Sequence, residues 1–346
     1  MLSGACAAVG VASAGAACGS RTGLVVPEVT SEAVETPDAT SGIDAAARGI
    51  GKLGGLDASV PVTVQHMDCA EAGITYIYVI GGDNNLYSFY PATGEFTFIG
   101  AINCPVSQGA TPFSMAVDHN GVAYVVFVNE MDDVDPTGAM TIEHLADDGS
   151  LFKVSPKTAA CEPTAYVPGQ QGVFTFGMGF VANVNDAGVA GTSGETLYVS
   201  PDPSGLLDTI DLTTFKLHEI APIGPSENIP VTGAELTGTG GGQLYGFFAP
   251  ENQNNTPPSY IIQLNPKTAT VASTVELPNV VEGDGWAFGY WGGDFYTFTA
   301  PNSAAGDTTS VVQRYRPSDG SITQVATAPE GVTIVGAGVS TCAPQQ

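Results

Sequence analysis

The sequence has little positive charge and no long amphipathic helical pattern. Only 9 Lys and Arg residues stand against 35 Asp and Glu, and the 346-residue chain has a formal net charge of −26. Nucleic-acid binding is excluded as a function, because phosphate contacts need cationic side chains. Direct adsorption to anionic lipid is disfavoured for the same reason. The 44 Gly and 24 Pro instead indicate many turns between short β-strands.

The amino-terminal segment is typical of export. Residues 5–17 are almost all small, and they end in Ala16-Ala17-Cys18-Gly19-Ser20, which resembles a bacterial lipobox. The resemblance implies a lipid on Cys18 and removal of the residues before it, so we assign 1–18 to a signal segment. Residues 19–65 lack aromatic side chains and predict a flexible acidic tether. We expect an exported protein of the bacterial envelope, an outer-membrane lipoprotein that meets the membrane only through its anchor.

Residues 66–346 contain strand patterns that recur at intervals of roughly 50 to 60 residues. The first pattern is an alternating strand that runs into a turn, as in Leu86–Gly94, Leu151–Ala159, Leu207–Phe215, Ile261–Ala269 and Val312–Gly320. The second has small residues before a bulky apolar one, as in Ser114–Val117, Gly177–Phe180, Gly233–Leu236, Gly285–Phe288 and Gly336–Val339. Small residues suit strands that converge on a crowded axis. Four strands in each of five units predict an all-β, five-bladed β-propeller.

The first unit lacks an inner strand, and the last copy of the inner pattern, near residues 333–342, has no outer strands after it. We therefore expect residues 333–342 to pair with residues 75–80 and close the ring. Four cysteines outside the export segment allow two disulfides in three connectivities. A bond between Cys69 and Cys342 would lock the closing strand, so we favour it, and Cys104–Cys161 follows by elimination.

Glu235 is the most informative candidate for a ligand-binding site. It occupies a slot that is otherwise small, held in the other units by Ala116, Gly179, Ala287 and Gly338. Asp118 ends one inner strand and Asp284 begins another, and none of the five inner patterns contains Lys or Arg. We hypothesise a cation, plausibly Ca²⁺, held near the central channel by Glu235 with Asp284 or Asp118. The competing interpretation is a solvated acid hydrogen-bonded to backbone amides.

Two further features have a stronger structural than functional interpretation. The acidic insertion Asn129–Gly138 imitates the first half of an EF-hand loop, but His144 stands where the bidentate Glu is expected, so a solubilising surface loop is favoured. The fifth unit is rich in aromatic residues, and we expect most of them to pack between blades. Trp291 is the candidate for stacking against a sugar ring.

Five phrases resemble uncharacterised exported β-propeller lipoproteins of myxobacterial type. They are Cys18–Leu24, Asp68–Thr75, Leu86–Tyr90, the pair Gly283–Phe288 and Trp291–Phe295, and Gly336–Cys342. The resemblance spans nearly the whole mature chain and implies the propeller fold and a lipid anchor, but it brings no activity and no catalytic residue with it.

We expect a monomeric, tethered binding or scaffold protein whose partner is a surface protein or a glycan, rather than an enzyme. The alternative is a glycan-active hydrolase that uses carboxylates around the axis, because Asp118, Glu235 and Asp284 come from three blades. Glycoside hydrolysis needs paired carboxylates about 5–10 Å apart that reach the substrate, so mutual distance and exposure distinguish the two functions.

Overall fold

The computed structural model describes residues 76–134, 140–184, 190–224, 233–249, 258–301 and 308–346. The first strands in chain order are β1 (Ile77–Gly81), β2 (Asn85–Tyr90), β3 (Glu95–Ala101), β4 (Thr111–Val117), β5 (Ala123–Val128), β6 (Glu130–Val134), β7 (Met140–His144), β8 (Leu151–Val154), β9 (Cys161–Pro163), β10 (Phe176–Val184) and β11 (Ala190–Pro201). The remaining strands are β12 (Leu206–Asp211), β13 (Lys216–Pro222), β14 (Glu235–Gly238), β15 (Leu244–Phe248), β16 (Ser259–Leu264), β17 (Val271–Leu277), β18 (Trp286–Trp291), β19 (Asp294–Thr299), β20 (Val311–Arg316), β21 (Ser321–Thr327) and β22 (Ile334–Gly338). Within those ranges, no helix has the length and apolar character needed to cross a membrane.

The strands form five antiparallel four-stranded sheets, which are the blades of a propeller. Their orders from the axis outwards are β22-β1-β2-β3, β4-β5-β8-β9, β10-β11-β12-β13, β14-β15-β16-β17 and β18-β19-β20-β21, and we number the blades one to five in that order. Strands β6 and β7 form a separate ribbon that extends from blade two. The predicted five-bladed propeller is confirmed.

The ring closes as the sequence predicts. Strand β22 pairs with β1, with Val79 opposite Ala337 and Ile80 opposite Gly336. The last strand of the chain therefore becomes the innermost strand of the first blade. The predicted signal segment 1–18, the tether 19–65 and the domain boundary at residue 66 lie outside the described residues.

In every blade, the turn between the two outer strands has the same local geometry, which explains the first sequence pattern. The last residue of the pattern has a positive φ in every blade, and its N–H donates to the carbonyl oxygen four residues earlier. The residues are Gly94, Ala159, Phe215, Ala269 and Gly320. The two glycines adopt this conformation without strain. The three non-glycine residues adopt it because the paired strands on both sides fix the turn.

The core lies between the blades. Five buried apolar clusters each combine residues from two neighbouring blades, and together they fill all five interfaces of the ring. For example, Phe89 of blade one packs against Tyr296 and Phe298 of blade five, at ring-centroid distances of 6.0 and 5.5 Å. Burial of these faces holds neighbouring blades together, since the hydrophobic effect is proportional to the apolar area removed from water.

Candidate functional site

The inner strands pack side by side around the axis and run in the same direction. Gly179 lies against Leu236, and Gly338 lies against Val117. A methyl group on Gly179 would come within 2.9 Å of the Leu236 backbone, and one on Gly338 within 2.8 Å of the Val117 nitrogen. The described residues along the middle of the axis leave no room for a water molecule. The expected central channel is therefore filled by backbone, and a ligand can meet the axis only at its two ends.

Glu235 is the first residue of β14 and is fully buried. Its Oε2 accepts a hydrogen bond from Ser114 Oγ at 2.9 Å, and the Ser114 hydroxyl accepts one from the Met178 N–H at 3.2 Å. These residues belong to blades four, two and three, so the Glu235–Ser114 bond passes across the axis. One hydrogen-bonded chain thus joins three blades at the end of the axis where the inner strands begin.

Burial raises the pKa of Glu235 well above that of an ordinary glutamate. The Ser114 hydrogen bond opposes this shift, whereas the carboxylates of Asp202 and Glu282 add to it. Glu235 Oε1 is buried and has no hydrogen-bond partner among the described residues. The carboxyl group is therefore held in its neutral form above the pH at which an exposed glutamate ionises.

Asp202 and Glu282 complete a three-carboxyl group that we call the axial mouth, together with Glu235. Asp202 follows β11 and lies against Gly233, where an added methyl group would come 3.0 Å from its Oδ1. Glu282 precedes β18. Both side chains are half-buried. Burial, with a contribution from Asp202, raises the pKa of Glu282 to about 7, so this carboxyl can gain or lose a proton near neutral pH.

The other acids predicted from the sequence are Asp284, two residues after Glu282, and Asp118. Asp284 is exposed, and its backbone N–H bonds to the carbonyl oxygen of Ala300 at 2.8 Å. Asp118 follows β4, and its Oδ1 accepts from the Val122 N–H at 2.7 Å. Four residues of strand separate Asp118 from Ser114, which is about 13 Å at ~3.3 Å per residue. Asp118 therefore lies at the opposite end of the axis from Glu235.

This arrangement does not provide the carboxylate pair that the hydrolase alternative requires. Glu235 is sealed from solvent, and Asp118 is on the far side of the packed axis. A glycosidase needs both groups in contact with one sugar ring. The sequence could not show this, because strand patterns place residues on the inner strands without stating at which end each carboxylate lies.

The opposite end of the axis carries a different network, centred on Glu195 of β11. Its Oε1 accepts from the backbone N–H of His119 at 2.7 Å and lies 2.8 Å from His119 Nδ1. Its Oε2 accepts from Thr341 Oγ at 2.8 Å. Burial raises the pKa of Glu195, and these hydrogen bonds oppose the shift. The network fastens the segment after β22 to blades two and three.

Most aromatic residues of blade five pack in the core, as expected. Phe288, Phe295 and Phe298 are fully buried. Trp291 is half-buried and packs edge-on against Tyr90 with ring centroids 6.4 Å apart. It belongs to the interface between blades five and one, and its role in sugar stacking stays a prediction.

The predicted disulfide between Cys104 and Cys161 is present, with the two Cα atoms 5.1 Å apart. It links the segment after β3 to β9, and therefore ties blade one to the outer edge of blade two. Cys342 is disulfide-bonded. Its predicted partner Cys69 and the predicted lipidation site Cys18 lie outside the described residues.

No family model matches the sequence, and no curated protein matches it. Among solved structures, the chain is similar to one from a nidogen/laminin complex, at 11% identity over 76% of this chain and 97% of that chain, with a TM-score of 0.40. It is also similar to an α-L-arabinofuranosidase from Clostridium thermocellum ATCC 27405, at 14% identity over 59% and 68% of the two chains and a TM-score of 0.40. A luciferin-regenerating enzyme matches at 12% identity over 82% and 98%, with a TM-score of 0.39. Values this low support no conclusion about function.

Proposed function

We propose that this chain is a non-catalytic binding or scaffold propeller that takes a cationic ligand at the axial mouth, with Ca²⁺ as the first candidate. The observation that carries the proposal is that the charges of Asp202 and Glu282 both act on the buried carboxyl of Glu235 at one end of the axis. Ca²⁺ prefers carboxylate and carbonyl oxygen ligands. The sequence predicted Glu235 with Asp284 or Asp118 as the ligands. The proposed site retains Glu235 and has Asp202 and Glu282 as the other ligands.

The electrostatics of the mouth favour a cation. The charges of Asp202 and Glu282 raise the pKa of Glu235, and the charge of Asp202 raises the pKa of Glu282, so negative charge is unfavourable at this end of the axis. A divalent cation relieves that repulsion and displaces the proton of Glu282. Glu235 is fully buried, and its Oε1, which has no hydrogen-bond partner among the described residues, would supply a further oxygen.

Calorimetric titration of Ca²⁺ into the wild-type chain and into Glu282→Gln, Asp202→Asn and Asp284→Asn tests the site. We expect one Ca²⁺ per chain in the wild type and at least a tenfold weaker affinity for the first two variants. The Asp284→Asn control removes a nearby exposed charge and is expected to bind as the wild type does. Absence of binding in the wild type, or a loss confined to Asp284→Asn, contradicts the axial mouth.

We propose further that Cys18 anchors the propeller at the bacterial envelope, and that a surface protein or a glycan occupies its exposed faces. The support is the lipobox-like sequence before Cys18 and the acidic, aromatic-free segment that follows it. Mass spectrometry of the mature amino terminus tests the anchor, since an unmodified residue other than Cys18 refutes it. A glycan array with the mature protein tests the class of partner.

A further inference from the structure

A cluster of two carboxylates and one imidazole lies at the base of the β6–β7 ribbon. Glu130 begins β6, His144 ends β7, and the two residues are directly opposite in the ribbon. Asp148 follows in the next turn. One ligand atom from each of the three residues lies within 4.8 Å of those of the other two. We propose that Glu130, His144 and Asp148 form a site for a divalent transition metal of the Zn²⁺ class.

The chemistry of the three groups selects the class of metal. Imidazole nitrogen and carboxylate oxygen are both ligands of Zn²⁺ in proteins, whereas Ca²⁺ takes oxygen ligands alone. His144 occupies the position at which a calcium loop needs its bidentate Glu. His144 therefore departs from the calcium-loop pattern but is a suitable ligand for a softer metal.

The surroundings hold two of the three ligands in place. Asp148 is fully buried, and its Oδ1 accepts from the Asn129 N–H at 2.8 Å, which leaves Oδ2 directed at His144 Nδ1, 2.5 Å away. The His144 ring stacks on Phe174, with centroids 3.6 Å apart and planes 8° from parallel. Hydrogen bonds to ligands and packing of their rings are what orient the ligands of metal sites in proteins.

Metal binding requires a small rearrangement. Bonds of about 2.0–2.1 Å to a tetrahedral metal place two ligand atoms about 3.3 Å apart, so His144 Nδ1 and Asp148 Oδ2 must separate by about 0.8 Å. The exposed imidazole can slide along the Phe174 ring to do so. A metal on Nδ1 requires the imidazole to carry its proton on Nε2, so that the lone pair of Nδ1 faces the metal.

Calorimetric titration of Zn²⁺ into the full chain, with its thiols blocked by alkylation, tests this site. We expect one Zn²⁺ per chain and at least a tenfold loss of affinity in His144→Asn, which retains an N–H donor for Asp148. His218→Asn, a change of another exposed histidine on β13, is the matched control and is expected to bind as the wild type does.

Glu130→Gln alters an exposed residue and gives a second measurement if His144→Asn fails to fold. It is also expected to weaken binding. Equal Zn²⁺ affinity in the wild type and in either ligand variant overturns the proposal, as does the absence of a one-to-one site in the wild type. Asp202→Asn leaves Zn²⁺ binding unchanged, which separates this result from the Ca²⁺ titration of the axial mouth.

Discussion

Replacement of Glu235 by Gln is expected to remove a pH-dependent loss of stability, so that the variant gains stability relative to the wild type as the pH rises. In the folded protein the buried carboxyl keeps its proton, because its pKa is raised well above the ordinary value of 4.5. In the unfolded chain the same group ionises near 4.5. Unfolding above that pH therefore releases a proton, so the wild type loses stability with increasing pH. Gln retains an oxygen that accepts from Ser114 and has no proton to release.

The magnitude follows from linkage. One proton released on unfolding changes the unfolding free energy by about 1.4 kcal/mol per pH unit. Between pH 5.5 and 7.0, the advantage of Glu235→Gln over the wild type should grow, by at most about 2 kcal/mol. The pKa values of Glu282 and Asp208 are also raised, to about 7 and about 6. Their contributions to the pH dependence of the unfolding free energy are the same in the wild type and the variant, so they cancel in the comparison.

Urea unfolding followed by tryptophan fluorescence at the two pH values measures this difference. Glu276→Gln, an exposed change on the outermost strand of the same blade, serves as the control and should show no pH-dependent gain. If the advantage of Glu235→Gln is the same at both pH values, Glu235 carries its charge in the folded protein and the reasoning fails.

Three other results are expected. Gly179→Ala should destabilise the fold by about 1–3 kcal/mol, because its methyl group would press on the next inner strand. The control Gly82→Ala, whose methyl group would have its nearest neighbour 3.7 Å away, should have little effect on the thermal midpoint of unfolding. Equal midpoints for the two variants would refute the close packing of the inner strands. Replacement of Cys104 and Cys161 by Ser removes a crosslink spanning 57 residues and should lower the unfolding free energy by about 3–4 kcal/mol, which chemical denaturation measures and an unchanged midpoint contradicts. Ca²⁺ affinity should increase from pH 6 to pH 8, since Glu282 with a pKa of about 7 must lose its proton to bind, and affinity independent of pH would exclude Glu282 as a ligand.

The fold could be predicted from the sequence because the propeller repeats its local chemistry. The turn that ends at Gly94 recurs at Ala159 even though the residue type differs, since the pattern of flanking strands is the same. The pairing of β1 with β22 was also predictable, because the first unit lacked an inner strand and the last inner strand was not followed by outer strands. Small residues at Gly179 and Gly338 indicated the crowded axis.

The site was only partly predictable. The small residues of the other inner strands singled out Glu235, but Asp202 lies in a turn and Glu282 in the segment before β18, both outside every repeated pattern. Their proximity to Glu235 depends on how three blades meet, which strand alternation does not report. Asp284 is only two residues from Glu282, yet it is exposed, and its role as a ligand stays a prediction.

The position of β22 constrains the order in which the blades can fold during translation. Blades two to five are made of contiguous strands and can assemble as the ribosome delivers them. The first blade cannot, because the backbone groups along the inner edge of β1 stay unpaired until residues 334–338 emerge. A chain that stops short of them would present a bare apolar edge to other nascent chains, which is a template for aggregation.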